Sequence, residues 1–169
     1  EPYADLGDPA HHGNAYLTVE QVRDHVAACS LAGIQAGFHV IGDAGADTVV
    51  AGLQAAAAKV RMAKVIAAHH RLEHLEMVDA EGIKVLAELG VTASVQPAFD
   101  ALWGGPDGMY SARLGRERAG GMNPFAPMTE CALAPAPATD SPVTPAAPWR
   151  AAPARPHHPP PPAPAPPPR

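Results

Sequence analysis

Helical and extended apolar patterns alternate along the chain between Thr18 and Gly121. The first pattern begins at a capping box, in which Gln21 follows Thr18 by three residues. Gly33 can end the element in a left-handed conformation, and apolar residues recur between these signals at helical spacing: Val19, Val22 and Val26. The spacing predicts a helix over about residues 18–32.

A short apolar stretch, Ile34 to Ile41, follows this helix and predicts a strand that ends at Gly42-Asp43. The next residues predict a helix whose buried stripe is formed mostly of small side chains, with apolar positions at Val49, Leu53, Ala56 and Val60. Small side chains allow a helix to pack closely on a sheet.

A second helix and strand follow further along the chain. Asp79 can cap a helix that ends at Gly90, with Ile83, Leu86 and Ala87 on one face. Val91 to Pro97 then predicts a strand that proline ends. Alternating helices and strands are typical of an α/β protein with a parallel sheet, in which reactive groups gather at the carboxyl ends of the strands.

Composition divides the chain near Cys131. Fifteen of the 21 prolines follow Glu130, whereas all 15 glycines precede residue 122. Residues 151–169 are rich in proline and alanine and are predicted to form a disordered tail. We therefore expect one domain over residues 1–150, degraded between 130 and 150, followed by a tail that is either inert or a docking ligand for another protein.

Charge and cysteine content exclude several classes of protein. The net charge is −5 and no basic stripe is present, so we expect no nucleic-acid partner. No apolar run approaches the ~20 residues of a membrane span. Cys29 and Cys131 form neither a metal-binding pair nor a disulfide framework, which favours the cytoplasm. No signal peptide follows Glu1, and the start is expected to be an internal cut.

Two histidines are candidates for metal binding. His39 lies near the end of the first predicted strand, and His74 precedes another capped helix. Neutral imidazole is a common zinc ligand, and two of them at the ends of neighbouring strands could share one ion. Either histidine could instead be a packed or solvent-facing residue.

The segment from His70 to His74 also fits the HxxEH pattern of a zinc metallopeptidase. That alternative requires residues 64–78 to form a helix, so that both histidines lie on one face with a glutamate base between them. Val65, Leu72 and Leu75 have tolerable helical spacing, and periodicity alone does not decide between the two.

Four ordered segments resemble the second half of the amidohydrolase family 3 enzymes, the relatives of YtcJ-type proteins and N-substituted formamide deformylase. They are Gly37 to Asp43, Arg71 to His74, Val95 to Pro97, and Thr139 to Val143, and Glu1 to Tyr3 resembles the segment that precedes the fifth barrel strand in that family. The resemblance implies a partial (β/α)8 TIM-type barrel that contains about strands five to eight.

The resemblance also implies a chemistry. His39 and His74 match the family's ligands for a divalent metal, expected to be zinc, and Asp140 matches the aspartate that takes the proton of the attacking water. The implied activity is hydrolysis of a non-peptide C–N bond in a small amide or formamide substrate. Without the resemblance, Asp140 could simply cap a turn before Pro142.

The chain departs from the family in two respects. The family's His-x-His pair and fourth-strand lysine would precede Glu1, so the missing N-terminal half or another chain is needed to complete the barrel. The prolines between Leu133 and Thr139 cannot donate to a central ladder, so the eighth strand is expected to be degraded. The alternative to an enzyme fragment that is inactive alone is a non-catalytic degenerate fragment or a proline-rich interaction module.

Overall fold

The computed structural model describes residues 1–8, 10–133 and 135–146. The predicted tail, residues 151–169, lies outside the described residues, as do residues 147–150 of the predicted domain. No helix in the described ranges combines the length and the apolar character that a bilayer crossing requires.

Four parallel strands form one sheet in the order β1-β2-β3-β4. The strands are β1 (Gly37–Val40), β2 (Arg71–His74), β3 (Thr92–Val95) and β4 (Pro135–Pro137), and the helices are α1 (Val19–Ala32), α2 (Asp43–Val60), α3 (Met62–Ala68), α4 (Ala80–Glu88), α5 (Pro97–Trp103), α6 (Met109–Leu114), α7 (Arg116–Gly120) and α8 (Phe125–Glu130). Helices connect each strand to the next. The predicted α/β class and parallel sheet are confirmed, and the arrangement is compatible with part of a TIM-type barrel.

Local capping signals set the helix boundaries. The Thr18 side chain accepts a hydrogen bond from the Gln21 N–H, and the Gln21 side chain accepts one from the Thr18 N–H, which completes the predicted capping box of α1. Gly33 ends α1 in the left-handed conformation. Asp79 accepts a hydrogen bond of 2.7 Å from the Gly82 N–H and caps α4 as predicted. In α2 the cap position is Gly42, and Asp43 is the first helical residue.

The core lies between the sheet and helices α1 to α4. Val22 and Val26 of α1 are fully buried, and so is Leu53 of α2. Gly52 lies where α2 crosses α1, and a Cβ atom built there would come within 2.4 Å of Val22 Cγ1. The sequence predicts close packing of the small residues of α2 on the sheet, and at Gly52 the close approach is instead to the helix α1.

The metallopeptidase alternative is wrong because no helix spans residues 64–78. Helix α3 ends at Ala68, His69 adopts a left-handed conformation, and Arg71–His74 forms the second strand. His70 and His74 consequently do not share a helix face, which the HxxEH arrangement requires.

A short strand, β4, forms in the region where the prolines predict a degraded strand. Ala136 pairs with Ser94 in parallel register, and the Ala138 N–H donates to the Val95 carbonyl oxygen at 2.7 Å. The N–H groups of alternate residues point to the same neighbouring strand. The backbone nitrogens of Pro135 and Pro137 therefore face away from β3, towards the outer edge of the described sheet. Both prolines fit there because the β3 ladder does not require their missing N–H groups.

Candidate metal centre

His39 and His74 lie together at the carboxyl ends of neighbouring strands. His39 is the third residue of β1, and His74 is the last residue of β2. Their ring centroids are 4.4 Å apart, with an angle of 70° between the ring planes. Two imidazoles at this separation can both approach one cation, as the sequence predicts for neighbouring strand ends.

The backbone of His74 departs from strand geometry. In the ladder His74 pairs with Val40, which is buried next to α2, whereas His39 is exposed on the other face. His74 and Leu75 both have positive φ, at 73° and 52°. Such angles are rare for residues with side chains. This local reversal allows the His74 ring to reach His39 instead of following Val40 towards the helices.

The His74 ring is buried in surroundings that favour its neutral form. Only 4% of the residue is exposed, and the ring stacks on Phe99 with centroids 5.7 Å apart and planes at 15°. Burial lowers the pKa of His74 below its ordinary value, and the neighbouring His39 ring lowers it further, while Asp140 acts in the opposite direction. A neutral imidazole keeps the lone pair that a metal ligand needs.

The donor atoms of His39 and His74 fit a metal ion in part. The buried Nδ1 atom of His74 has no hydrogen-bond partner. In a ligating histidine, one ring nitrogen binds the metal and the other makes a hydrogen bond that fixes the ring. Among the described residues, however, no group of three or more His, Cys, Asp or Glu side chains is arranged to hold a metal. His39 and His74 would therefore supply two of the four ligands that zinc takes.

Asp140 lies after β4 at the same end of the sheet. It has a positive φ of 51°, and its carbonyl oxygen accepts a hydrogen bond of 2.9 Å from the Val143 N–H. Its carboxylate is exposed, and its charge counteracts the burial that lowers the pKa of His74. Within residues 135–146 and the rest of the described chain, no hydrogen bond or ion pair joins Asp140 to either histidine, so the proton-accepting role stays a prediction.

A buried polar cluster lies beside the histidine pair. The Tyr110 hydroxyl donates to Glu76 Oε2 at 2.6 Å, and the Asn123 N–H donates to the Glu76 carbonyl oxygen at 2.8 Å. Burial raises the pKa of Glu76, although the Tyr110 hydrogen bond acts in the opposite direction. Burial and then the Glu76 hydrogen bond raise the pKa of Tyr110. The cluster holds the segment after β3 against the end of β2.

Aromatic side chains cover this cluster. Phe99 and Trp103 of α5 have centroids 4.4 Å apart, and Trp103 contacts Tyr110 edge to face at 6.1 Å. Because Phe99 also stacks on His74, the segment from Phe99 to Tyr110 forms a wall next to the histidine pair. Phe99 and His74 are 25 positions apart, so no local pattern in the sequence indicates their contact.

Sequence reasoning gives one buried polar residue, His70, a role only in the metallopeptidase alternative, and it gives another, Gln96, none. His70 is fully buried at the opposite end of the sheet, where its ring bonds to Ser30 and Ala36. Gln96 follows β3, and its Oε1 atom is buried without a partner. A polar residue between a strand and a proline, as in Val95-Gln96-Pro97, is the signal that could have indicated a site residue at this strand end.

A parallel α/β sheet with an imidazole pair at the carboxyl ends of its strands is compatible with part of a TIM-type barrel, a fold whose active sites form at that face. The sequence profile of the amidohydrolase family, family 3, matches residues 1–154. The chain belongs to this family, as its four motifs predict. The curated proteins include no match to it.

Two solved structures resemble the chain in sequence and fold. An uncharacterized metal-dependent hydrolase from Pyrococcus furiosus matches with a TM-score of 0.72 and 25% identity, over 91% of this chain and 29% of that chain. A second, from Pyrococcus horikoshii OT3, matches with a TM-score of 0.68 and 26% identity, over 88% of this chain and 27% of that chain. The chain therefore spans less than a third of the length of either structure.

Proposed function

We propose that this chain forms part of the catalytic barrel of a metal-dependent hydrolase that cleaves a non-peptide C–N bond in a small amide or formamide. The observation that carries the proposal is the convergence of His39 and His74 at neighbouring strand ends, with 4.4 Å between their ring centroids. Membership of the amidohydrolase family supports the reaction class, and the metal dependence of the two structural neighbours supports the cofactor.

His39 and His74 would hold a divalent cation, which we propose to be zinc. The burial that keeps His74 neutral and its stacking on Phe99 support this role, because both preserve the ring as a fixed neutral ligand. A divalent cation held by these residues would supply Lewis-acid chemistry: it would polarise the substrate carbonyl and lower the pKa of water, which makes hydroxide available at neutral pH. The aromatic wall from Phe99 to Tyr110 would exclude bulk water from one side.

Asp140 would move the proton. Its exposed carboxylate takes a proton from the attacking water, a C–O bond forms at the carbonyl carbon, and the proton then passes to the leaving nitrogen as the C–N bond breaks. The products are a carboxylic acid and an amine. The position of Asp140 after β4 and its effect on the pKa of His74 support a place at the same mouth.

The site would be completed by strands outside the four described. We propose that β1 to β4 correspond to about strands five to eight of a YtcJ-like or formamide-deformylase-like barrel, the C-terminal half, and that the chain alone is inactive. The coverage of less than a third of each structural neighbour supports this proposal. We also propose that the protein is located in the cytoplasm, a reducing compartment, and the free thiols of Cys29 and Cys131 support this location.

Metal titration of the full 169-residue chain tests the proposal. Cobalt(II) substituted for zinc should give visible absorption, and His39→Ala or His74→Ala should weaken its binding by more than the about 10–100-fold that loss of an outer-shell partner causes. His12→Ala, at an exposed position, is the matched control and should bind as the unmodified chain does. Equal binding by all four chains, or no binding, would overturn the metal assignment and favour the non-catalytic alternative.

Complementation tests the catalytic step. When the remaining barrel strands are supplied by the N-terminal half of a family member, hydrolysis of N-formyl or N-acyl amines should appear. Asp140→Asn should abolish that turnover while cobalt binding to His39 and His74 persists. Turnover that survives Asp140→Asn would remove this residue from the mechanism.

A further inference from the structure

Two of the buried polar atoms that lack hydrogen-bond partners lie at adjoining strand ends. They are Nδ1 of His74, at the end of β2, and Oε1 of Gln96, just after β3. Both residues are almost fully buried, with 4% and 3% of their surfaces exposed. A buried polar group without a partner costs about 1–3 kcal/mol, so two such atoms at adjoining strand ends call for an explanation.

The orientation of the Gln96 amide is fixed. Its Nε2 atom donates to the Ser94 carbonyl oxygen at 3.3 Å, so the amide oxygen is the atom left free. An imidazole nitrogen can carry a proton and donate, whereas an amide oxygen can only accept. The two unpartnered atoms are therefore complementary in hydrogen bonding.

The surrounding contacts place Gln96 next to the His74 ring. Ser94 pairs with Glu73 in the ladder, so the residues that follow in each strand run side by side. The Phe99 N–H donates to the Gln96 carbonyl oxygen at 3.0 Å, and the ring of the same Phe99 stacks on His74. The Gln96 side chain also raises the pKa of His74, which is the direction expected of an acceptor close to the ring.

We propose that Gln96 is a positioning residue for His74: its Oε1 atom accepts the Nδ1–H of the imidazole and fixes the tautomer in which Nε2 carries the free lone pair. The hydrogen bond that one ring nitrogen makes decides which nitrogen is left to bind a metal. The metal-binding consequence rests on the proposed function, whereas the tautomer itself does not.

The ring nitrogens of His74 report the tautomer directly. In ¹⁵N NMR spectra of the metal-free full chain at neutral pH, His74 is assigned through its loss in His74→Gln. Its Nδ1 should resonate as a protonated nitrogen and its Nε2 as an unprotonated one. Gln96→Leu, which removes the acceptor, should shift His74 towards the Nε2–H tautomer, whereas Gln96→Glu, which keeps an acceptor, should retain Nδ1–H.

A matched control and a metal arm complete the experiment. Gln54→Leu, at an exposed glutamine of α2, should leave the His74 signals unchanged. With cobalt(II), Gln96→Leu should weaken binding about 10–100-fold and Gln96→Glu should restore most of it. An Nε2–H tautomer in the unmodified chain, or the same tautomer in all Gln96 variants, would overturn the positioning role.

The two arms separate the two proposals. If the tautomer responds to Gln96 but no chain binds cobalt, the positioning role stands and the metal-binding proposal fails. If cobalt binds through His39 and His74 and the tautomer of His74 is the same in all Gln96 variants, the metal-binding proposal stands and the positioning role fails. If Gln96→Leu does not fold, the unmodified chain and Gln96→Glu still test the proposal. His74 must then carry the Nδ1–H proton in both of them.

Discussion

The Nε2 atom of His70 lies 2.8 Å from the hydroxyl oxygen of Ser30, while Nδ1 of the same ring accepts a hydrogen bond of 3.0 Å from the Ala36 N–H. A nitrogen that accepts cannot carry a proton, so the ring is neutral and its Nε2–H donates to Ser30. One imidazole thus joins α1 to the starts of β1 and β2.

We expect this arrangement to make the fold sensitive to acid. Burial lowers the pKa of His70 below its ordinary 6.5, and repulsion from His25 lowers it further. The unfolded chain therefore takes up the proton more readily, so the free energy of unfolding should fall as pH drops below 6.5, down to the lowered pKa. Urea unfolding at pH 7.5 and 5.5 measures the fall.

His70→Asn isolates this contribution, because its amide oxygen can accept the Ala36 N–H and does not titrate. The variant should lose less stability between the two pH values than the unmodified chain. His12→Asn, at an exposed histidine, should keep the full pH dependence. The same slope in His70→Asn and in the unmodified chain would contradict the assignment.

Gly52→Ala should destabilise the crossing of α1 and α2. The added methyl group would lie 2.4 Å from Val22 Cγ1, and overpacking of a closed core costs about 1–3 kcal/mol. Val22→Ala in the same chain should recover part of the loss, a coupling that a double-mutant cycle measures by urea unfolding. Gly120→Ala, where no atom lies within 4 Å, should change stability by less than about 0.5 kcal/mol.

Tyr110→Phe should leave the buried Glu76 carboxylate without its 2.6 Å hydrogen bond. The expected loss of stability at pH 7 is about 1–3 kcal/mol, the cost of a buried acceptor left unpaired. Because burial raises the pKa of Glu76 above 4.5, the folded chain holds this proton more tightly than the unfolded chain, and stability should fall as pH rises from 4.5.

Removal of the Tyr110 hydroxyl should steepen this fall, because its hydrogen bond partly offsets the rise in the pKa of Glu76 that burial causes. Thermal unfolding of Tyr110→Phe, Glu76→Gln and the double variant at pH 4.5 and 7 checks the coupling. Additive losses at pH 7 would show that the two groups do not interact.

Replacement of Pro135 and Pro137 together by threonine should promote association of the chain. Each proline removes an N–H group from the outer edge of β4, and threonine would restore both donors on an exposed strand. Light scattering as a function of concentration should show larger assemblies for the double variant. Pro106→Thr, in an exposed turn, controls for the substitution itself, and equal scattering from both would refute the protective role.

Features that depend on neighbouring residues could be predicted from the sequence. The capping box at Thr18 and Gln21, the Gly33 stop and the Asp79 cap are interactions over three or four residues, and the structure has all of them. The strand before Gly42 also forms, although it covers only Gly37–Val40 of the predicted Ile34 to Ile41.

Features that depend on distant pairing could not be predicted in this way. The prolines near residue 135 predict a degraded strand, and β4 forms because a sheet edge tolerates what a central position does not. The bonds of His70 to Ser30 and Ala36 join residues 34 to 40 positions apart, beyond the reach of any local pattern. The contact between Tyr110 and Glu76 spans a similar distance, 34 positions.

The left-handed residues His74 and Leu75 have a consequence for anyone who transplants the histidine pair. On an ordinary parallel sheet the His74 ring would lie on the same face as its ladder partner Val40 and be buried against the helices. A designer must therefore copy the backbone kink at the end of the second strand together with the two side chains. The pair is thus positioned by the conformation of the main chain, and the two side chains alone would not reproduce it.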